Sequence, residues 1–234
     1  MDYKEEYNKI ISFIRNYYKE NKIKGFVLGV SGCKDSTLVA KLLIDAVGKE
    51  RCCFVYMPHK YVDFKEKERI SMISKVLEIN INILPIMEEY YALESKNYSP
   101  KAMIDVVSRL QMTNLYAIAQ TNQLRVVGTK NKSELYIGWC TKWGDMACDI
   151  NPIAHLLCTD VVKLGLSIGI PSELMNIPPE DDLSGKTDEE NFGFSYQTLD
   201  DYIRFLESKE DNVFATIDNM HDSSRHKFKS ITLV

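Results

Sequence analysis

Gly25-Phe26-Val27-Leu28-Gly29-Val30 runs directly into Ser31-Gly32-Cys33-Lys34-Asp35-Ser36-Thr37, an apolar segment followed by a short polar turn. The apolar half is nearly continuous rather than alternating, the pattern of a strand covered on both faces, as in a parallel sheet. Beyond the turn, Leu38, Val39, Leu42, Leu43, Ala46 and Val47 keep helical spacing as far as Gly48, which suits a C-terminal stop. Open parallel sheets bind ligands where such a strand feeds a helix, because the free backbone N–H groups of the helix N-terminus attract an anion. Phosphate is the natural guest. Ser31, Ser36 and Thr37 offer hydroxyls, Lys34 a positive charge, and Asp35 a carboxylate able to hold a divalent cation that bridges phosphate oxygens. The same residue types also serve a serine-capped helix start with no ligand.

The pattern repeats on both sides of this unit. Tyr3, Tyr7, Ile10, Ile14 and Tyr17 mark one face of an N-terminal amphipathic helix. Cys52 to Met57 reads as a strand ended by Pro58, Ile70 to Leu77 as a helix, and Ile79 to Leu84 as a strand ended by Pro85. Met112, Leu115, Tyr116 and Ala119 share a face of a helix within Met103 to Leu124, and Arg125 to Gly128 reads as a fourth parallel strand. This alternation predicts an α/β protein, a single doubly wound parallel sheet flanked by helices, with one domain over residues 1–234. After Gly128 the chain turns to glycine, charge and aromatic residues. A short apolar helix is expected near Val161 to Ile168, a mobile surface loop over Pro178 to Gly193, and a helix from Tyr196 to Leu206.

Composition narrows the class of function. The 234 residues hold 29 Lys plus Arg against 33 Asp plus Glu, a formal charge of −4, which gives no broad footprint for nucleic acid or an anionic membrane. Hydrophobic content of 45% with 26% charged residues is that of an ordinary globular chain. No apolar run reaches the ~18 residues of a membrane span, and Met1 to Glu6 carries charge where a signal peptide is apolar, so a cytoplasmic protein is expected. Among six cysteines without a CxxC pair, five are expected to be reduced, structural thiols with no metal or disulfide role. Neither Gly48-Lys49-Glu50 nor Gly185-Lys186-Thr187 completes a Walker A motif, and no GxGxxG follows the first strand.

Ser31 to Ser36 resembles the SGGxDS pyrophosphate loop of the N-type ATP pyrophosphatases, and further blocks resemble the ammonia-dependent NAD synthetase family among them. Gly128-Thr129-Lys130-Asn131-Lys132-Ser133-Glu134 is similar to its GT(G/D)NKSE segment, Thr141 to Asp145 to its TKYGD segment, and Asp149 to Ile153 to its DINPI segment. Thr187 to Glu190 with Gly193, Ser195 and Tyr196, and then His226-Lys227, complete six ordered blocks over most of the chain. The resemblance implies an adenine nucleotide alpha hydrolase-like fold and ATP-dependent amidation of nicotinic acid adenine dinucleotide (deamido-NAD). In that reaction the nicotinate carboxylate is adenylated, pyrophosphate leaves, and ammonia displaces AMP. It further implies Mg2+ on Asp35 and Glu134, and catalysis by these two with Lys142. ATP would meet Ser31 to Thr37, Thr129, Cys158 and Glu180; deamido-NAD would meet Arg109, Lys142, Asp149, His226 and Lys227. A homodimer with small-molecule substrates is implied, with ammonia rather than glutamine as nitrogen donor.

Each residue also has a plainer reading. Glu134 suits a solvated helix start, Arg109 a surface ion pair, and His226 with Lys227 a basic tail; His155 reads as a surface histidine. Trp139 and Trp143 suit either stacking on a heterocycle or core packing. The chain departs from the family at Cys33 for the second glycine, Gln111 for an arginine, Cys158 for an ATP-contacting lysine and Glu180 for a Ser or Thr. The segment His59 to Lys67 also differs from the family's. Lys130 restores positive charge if it points inward. These departures leave two alternatives: adenylation of another carboxylate, and a nucleotide-binding paralogue with a decayed ATP site.

Overall fold

The computed structural model describes residues 1–60, 64–178, 186–204 and 212–229. Among them, β1 (Gly25–Gly29), β2 (Cys52–Tyr56), β3 (Ile81–Ile83) and β4 (Leu124–Val127) form one parallel sheet in the order β3-β2-β1-β4. Val27 of the central strand lies level with Cys53 on one side and Val126 on the other. Phe26, Val27 and Leu28 are fully buried, as the unbroken apolar run requires of a strand with cover on both faces.

That cover comes from helices on each side, the doubly wound arrangement expected. On one face, α1 (Tyr3–Glu20), α2 (Lys34–Val47) and α3 (Phe64–Leu77) pack Ile10, Ile14, Leu38, Leu42 and Ile73 into a common core with Phe26 and Leu28. On the other, α4 (Met87–Glu94) and α5 (Pro100–Asn122) approach, and Leu115 and Ala119 meet Val27, Val55 and Val126. Ser99 caps α5 and Pro100 fits its first turn, where the missing N–H costs nothing.

Two expectations are corrected. Helix α3 begins at Phe64 rather than Ile70, because its first turns read Phe64-Lys65-Glu66-Lys67-Glu68-Arg69 and their polar side chains give no apolar periodicity. The segment read as a loop to Gly193 contains a helix, Asp188–Phe192, closed by reciprocal Thr187 and Glu190 hydrogen bonds at its start and a left-handed Gly193 at its end. The first part of that predicted loop, residues 179–185, lies outside the described residues. No helix among the described residues is long and apolar enough to cross a membrane. All six cysteines are free thiols.

After β4 come α6 (Lys132–Ile137), α7 (Cys158–Ser167), α8 (Ser172–Met175), α9 (Asp188–Phe192), α10 (Tyr196–Arg204) and α11 (Asn212–Ser224), then a 3-10 turn, Arg225–Lys227. Ile137, Phe192, Tyr196, Leu199 and Ile217 form a second core that fastens α9, α10 and α11 against α6. Arg225 finishes α6 by donating from Nη2 to the carbonyls of Leu135 (3.2 Å) and Tyr136 (3.0 Å), which a helix C-terminus otherwise leaves unpaired.

Gly138 ends α6 with φ of 69°, and a Cβ there would stand 2.0 Å from Ser224 Cβ. Gly138→Ala combines a left-handed penalty of roughly 1–2 kcal/mol with overpacking of roughly 1–3 kcal/mol. It should therefore lower stability by about 2 to 5 kcal/mol in urea unfolding. A loss near zero would show that α11 can retreat freely from α6.

Candidate active site

From β1 the chain passes to β2 and β3 on one side, then returns to β4 on the other, so the order reverses between β1 and β4. The crevice beyond the carboxyl ends of these two strands is the ligand position of an open α/β sheet. Two loops meet there, Ser31 to Cys33 before α2 and Gly128 to Asn131 before α6.

Asn131 joins them. Wholly buried, it donates from Nδ2 to Asp35 Oδ1 at 2.9 Å and accepts the Glu134 N–H at Oδ1 at 3.0 Å. Its own N–H reaches Glu134 Oε2 at 2.9 Å, completing a capping box for α6. Asp35 and Glu134, 5% and 8% exposed, are thereby held on one asparagine although 99 residues separate them. The Asn131-to-Glu134 spacing was available in the sequence as a helix-start signature. Its second task, gripping Asp35, needed the fold.

Each carboxylate also has a lysine, Lys34 buried and Lys130 half-buried. Lys34 Nζ lies 2.9 Å from Asp35 Oδ2 and 5.4 Å from the centre of the Tyr196 ring, whose hydroxyl donates to Asp188. Lys130 Nζ points inward and bridges Glu134 Oε1 at 2.9 Å and Asp145 Oδ2 at 3.0 Å. Burial opposes both ammonium charges, yet Asp35 beside Lys34, and Asp145 with Glu134 beside Lys130, hold them well above the usual lysine range. Burial pushes Glu134 up to about 7, against the pull of Lys130.

The first loop is shaped by its own side chains. Gly32 adopts φ of 86°, a left-handed conformation that few other residues tolerate. The Cys33 carbonyl accepts from Ser36 Oγ (3.1 Å) and Thr37 Oγ1 (2.8 Å), and Ser31 Oγ contacts Cys33 Sγ at 3.0 Å. Ser31 is exposed at the crevice, whereas Thr37 is fully buried and spends its hydroxyl on the helix's own backbone. Thr37 therefore shapes the loop instead of offering its hydroxyl outward.

Four of the five residues assigned to deamido-NAD come together on the loop after α6. Arg109 Nη2 donates to the Lys142 carbonyl at 3.3 Å, Lys142 Nζ to the His226 carbonyl at 2.9 Å, and Lys227 Nζ to the carbonyls of Gly138 and Cys140 at 2.8 and 2.7 Å. Asp145, which sequence reading did not single out, fixes this loop by accepting the Thr141 N–H. The fifth residue, Asp149, lies at the β4 edge and accepts the Val126 N–H at 2.7 Å. Trp139 packs edge-on against Phe192 in the second core, while Trp143 stands 60% exposed beside Lys142. His155 is a surface residue paired with Glu6.

Cys158 starts α7 with its N–H on Ser133 Oγ at 2.9 Å, and only 4% of it is exposed. Burial pushes its thiol far up, and the Lys34 ammonium acts on it only as the second influence, so it behaves as an apolar neighbour of the loop. Thr129 lies between β4 and α6 at the crevice, and Glu180 lies outside the described residues.

A family model described as NAD synthase matches residues 6–232. An NH(3)-dependent NAD(+) synthetase from Methanocaldococcus jannaschii is 39% identical over 207 residues, 86% of this chain and 80% of that protein. Among solved structures, NMN synthetase from Francisella tularensis aligns at TM-score 0.92 and 27% identity over 100% of this chain and 99% of that one. The NH3-dependent NAD synthetase from Campylobacter jejuni aligns at TM-score 0.86 and 26% identity over the full length of both. With a family model matching residues 6–232 and a curated relative 39% identical over most of its length, the chain belongs to the NAD synthase family.

Proposed function

We propose that this chain is the enzyme that amidates deamido-NAD to NAD with ammonia, consuming ATP and releasing AMP and pyrophosphate through an acyl adenylate. The observation that carries this reading is Asn131 holding Asp35 and Glu134 together where the loops after β1 and β4 converge. A carboxylate is a poor acyl donor, so its activation by ATP requires a site that tolerates a departing polyanion.

Asp35 and Glu134 suit a hard divalent cation, which takes oxygen ligands. Among the described residues no group of three or more His, Cys, Asp or Glu is arranged to hold a metal by itself. Asp35 and Glu134 would hold Mg2+ as a pair of carboxylates rather than as part of a larger protein cage. When bound, it neutralises charge developing on the leaving pyrophosphate. Ser31, Gly32, Cys33 and the start of α2 provide the anion cradle, and Thr129 borders it from the second loop. Arg109, Lys142, His226 and Lys227 hold the dinucleotide beside it, with Asp149 at the sheet edge. Lys142, on the loop that Asp145 anchors, orients the nicotinate carboxylate.

The same reading takes residues 1–234 as one domain working in the cytoplasm as a homodimer. Exposed Ile104, Tyr116 and Trp143 near the dinucleotide half support the association. One observation favours a second substrate. The neighbour aligned at TM-score 0.92 is an NMN synthetase, which points to nicotinate mononucleotide, and Gln111 in place of an arginine falls in the same substrate half.

Assayed with ATP, Mg2+ and ammonium, the purified chain should convert deamido-NAD with kcat/KM at least about tenfold above that for nicotinate mononucleotide. A reversed ratio selects the second substrate, and pyrophosphate release with neither leaves another carboxylate or a silent ATP site. Glutamine alone should support no turnover; steady glutamine-driven synthesis would overturn the ammonia assignment.

Asp35→Asn and Glu134→Gln keep the side-chain size but turn one accepting oxygen into an amide donor and remove the charge that a divalent cation needs. Each should cut kcat by about a hundredfold or more while dinucleotide affinity, read by calorimetry, stays within about twofold. Near-normal turnover would strike that residue from the metal pair.

A further inference from the structure

Every carboxylate oxygen at the centre of the site already has a donor from this chain. Asp35 receives Lys34 at Oδ2 and Asn131 at Oδ1, both at 2.9 Å. Glu134 receives Lys130 at Oε1 and the Asn131 N–H at Oε2, again both at 2.9 Å. Lys34 is 3% exposed and the Lys130 side chain 17% exposed, so these are not loosely solvated surface pairs. Asp35 and Glu134, with Asp145 sharing Lys130, are thus three carboxylates met by two ammonium groups, compensation that buried carboxylates require.

A divalent cation on the same oxygens would stand close to the ammonium groups and repel them. Lys34, displaced in this enclosed site, needs a new anionic partner, since an unpaired buried charge is strongly disfavoured, and Lys130 keeps only the partly exposed Asp145. Lysine suits such a transfer, being a compact charge on a flexible stem. The proposed reaction brings the triphosphate, the most highly charged of its anions, to this crevice together with the metal.

We propose that Lys34 and Lys130 are placeholder cations, holding Asp35 and Glu134 until magnesium arrives with ATP and then turning from the carboxylates to the phosphate oxygens. The inference rests on Asp35 and Glu134 being the metal carboxylates. It assigns the two lysines a direct role toward ATP and makes metal binding conditional on nucleotide. Lys130 differs from Lys34 in keeping Asp145 as a second partner, so the loop bearing Lys142 stays attached to it during the exchange.

Manganese(II) with and without α,β-methylene-ATP, followed by electron paramagnetic resonance, tests this directly without turnover. The wild-type chain should bind Mn2+ at least about tenfold more tightly with the analogue than alone. Lys130→Met and Lys34→Met should each bind Mn2+ alone about tenfold more tightly than wild type, having lost the competitor. The same variants should bind the analogue about tenfold more weakly, having lost a charge-assisted phosphate contact. Opposite signs are the signature, because a merely structural role would weaken both. Lys130→Arg should restore analogue binding.

Unchanged or weakened binding of Mn2+ alone by a folded variant overturns the proposal. If Lys34→Met does not fold, Lys130→Gln and the wild-type comparison decide, and tight binding of Mn2+ alone by wild type is equally fatal. Absence of Mn2+ binding with and without nucleotide would instead remove Asp35 and Glu134 as metal carboxylates, a failure of the underlying reading.

Discussion

Burying two carboxylates side by side is expensive, and the centre of this molecule is organised around meeting that cost. Asp35 and Glu134 lie on loops from different strands, and each oxygen has a donor. Asn131 holds a central position because it is neutral: it satisfies both acids without taking a side in the charge balance. The parallel order β3-β2-β1-β4 sets the loops after β1 and β4 next to each other, and the asparagine fixes their separation. Lys34 and Lys130 supply the opposing charge from within. Sheet order, loop geometry and charge balance are therefore one constraint expressed at three scales.

The second half of the molecule is built on the first. Ser133, adjacent in sequence to Glu134, bonds the buried Asp200 of α10 and receives the Cys158 N–H of α7. Asp200 in turn accepts the Thr159 N–H at 2.7 Å. The start of α6 is thereby tied to two helices that sequence periodicity locates but cannot dock. Arg225 and His221 reach the carbonyls at its other end. The helix bearing Glu134 is short, and its rigidity comes from partners at both termini rather than from its own length.

The central sheet was readable because Gly25 to Val30 and its repeats bury both faces and leave an apolar run. The site was readable where local chemistry is written in short blocks, as in Ser31 to Ser36 and Gly128 to Glu134. Helix α9 escaped notice because five residues give no period, although Thr187 and Glu190 already had capping-box spacing. Asp145 escaped because its importance lies in reaching Lys130 and Thr141, contacts set by the tertiary path. Thr37 was legible as a polar residue in the right turn, but not the direction of its hydroxyl. Cys158 reads as the loss of a cation, and in the fold it packs into the second core while Lys130 brings charge inward elsewhere.

The cations around the loop after α6 are held differently from those at the centre. Lys142 and Lys227 give their hydrogen bonds to main-chain carbonyls, and Arg109 adds another beside its wider pairing with Asp105 at 3.6 Å. A carbonyl fixes an ammonium in place without cancelling its charge. The lysines at the centre face carboxylates, whereas Lys142 and Lys227 on this flank keep their charge uncancelled by the carbonyls they meet. On the proposed function, a dinucleotide with its own anionic phosphates would meet these cations before the acidic interior. Because those acceptors belong to the backbone, this arrangement depends on the path of the chain and on three basic side chains, leaving the intervening positions free to vary.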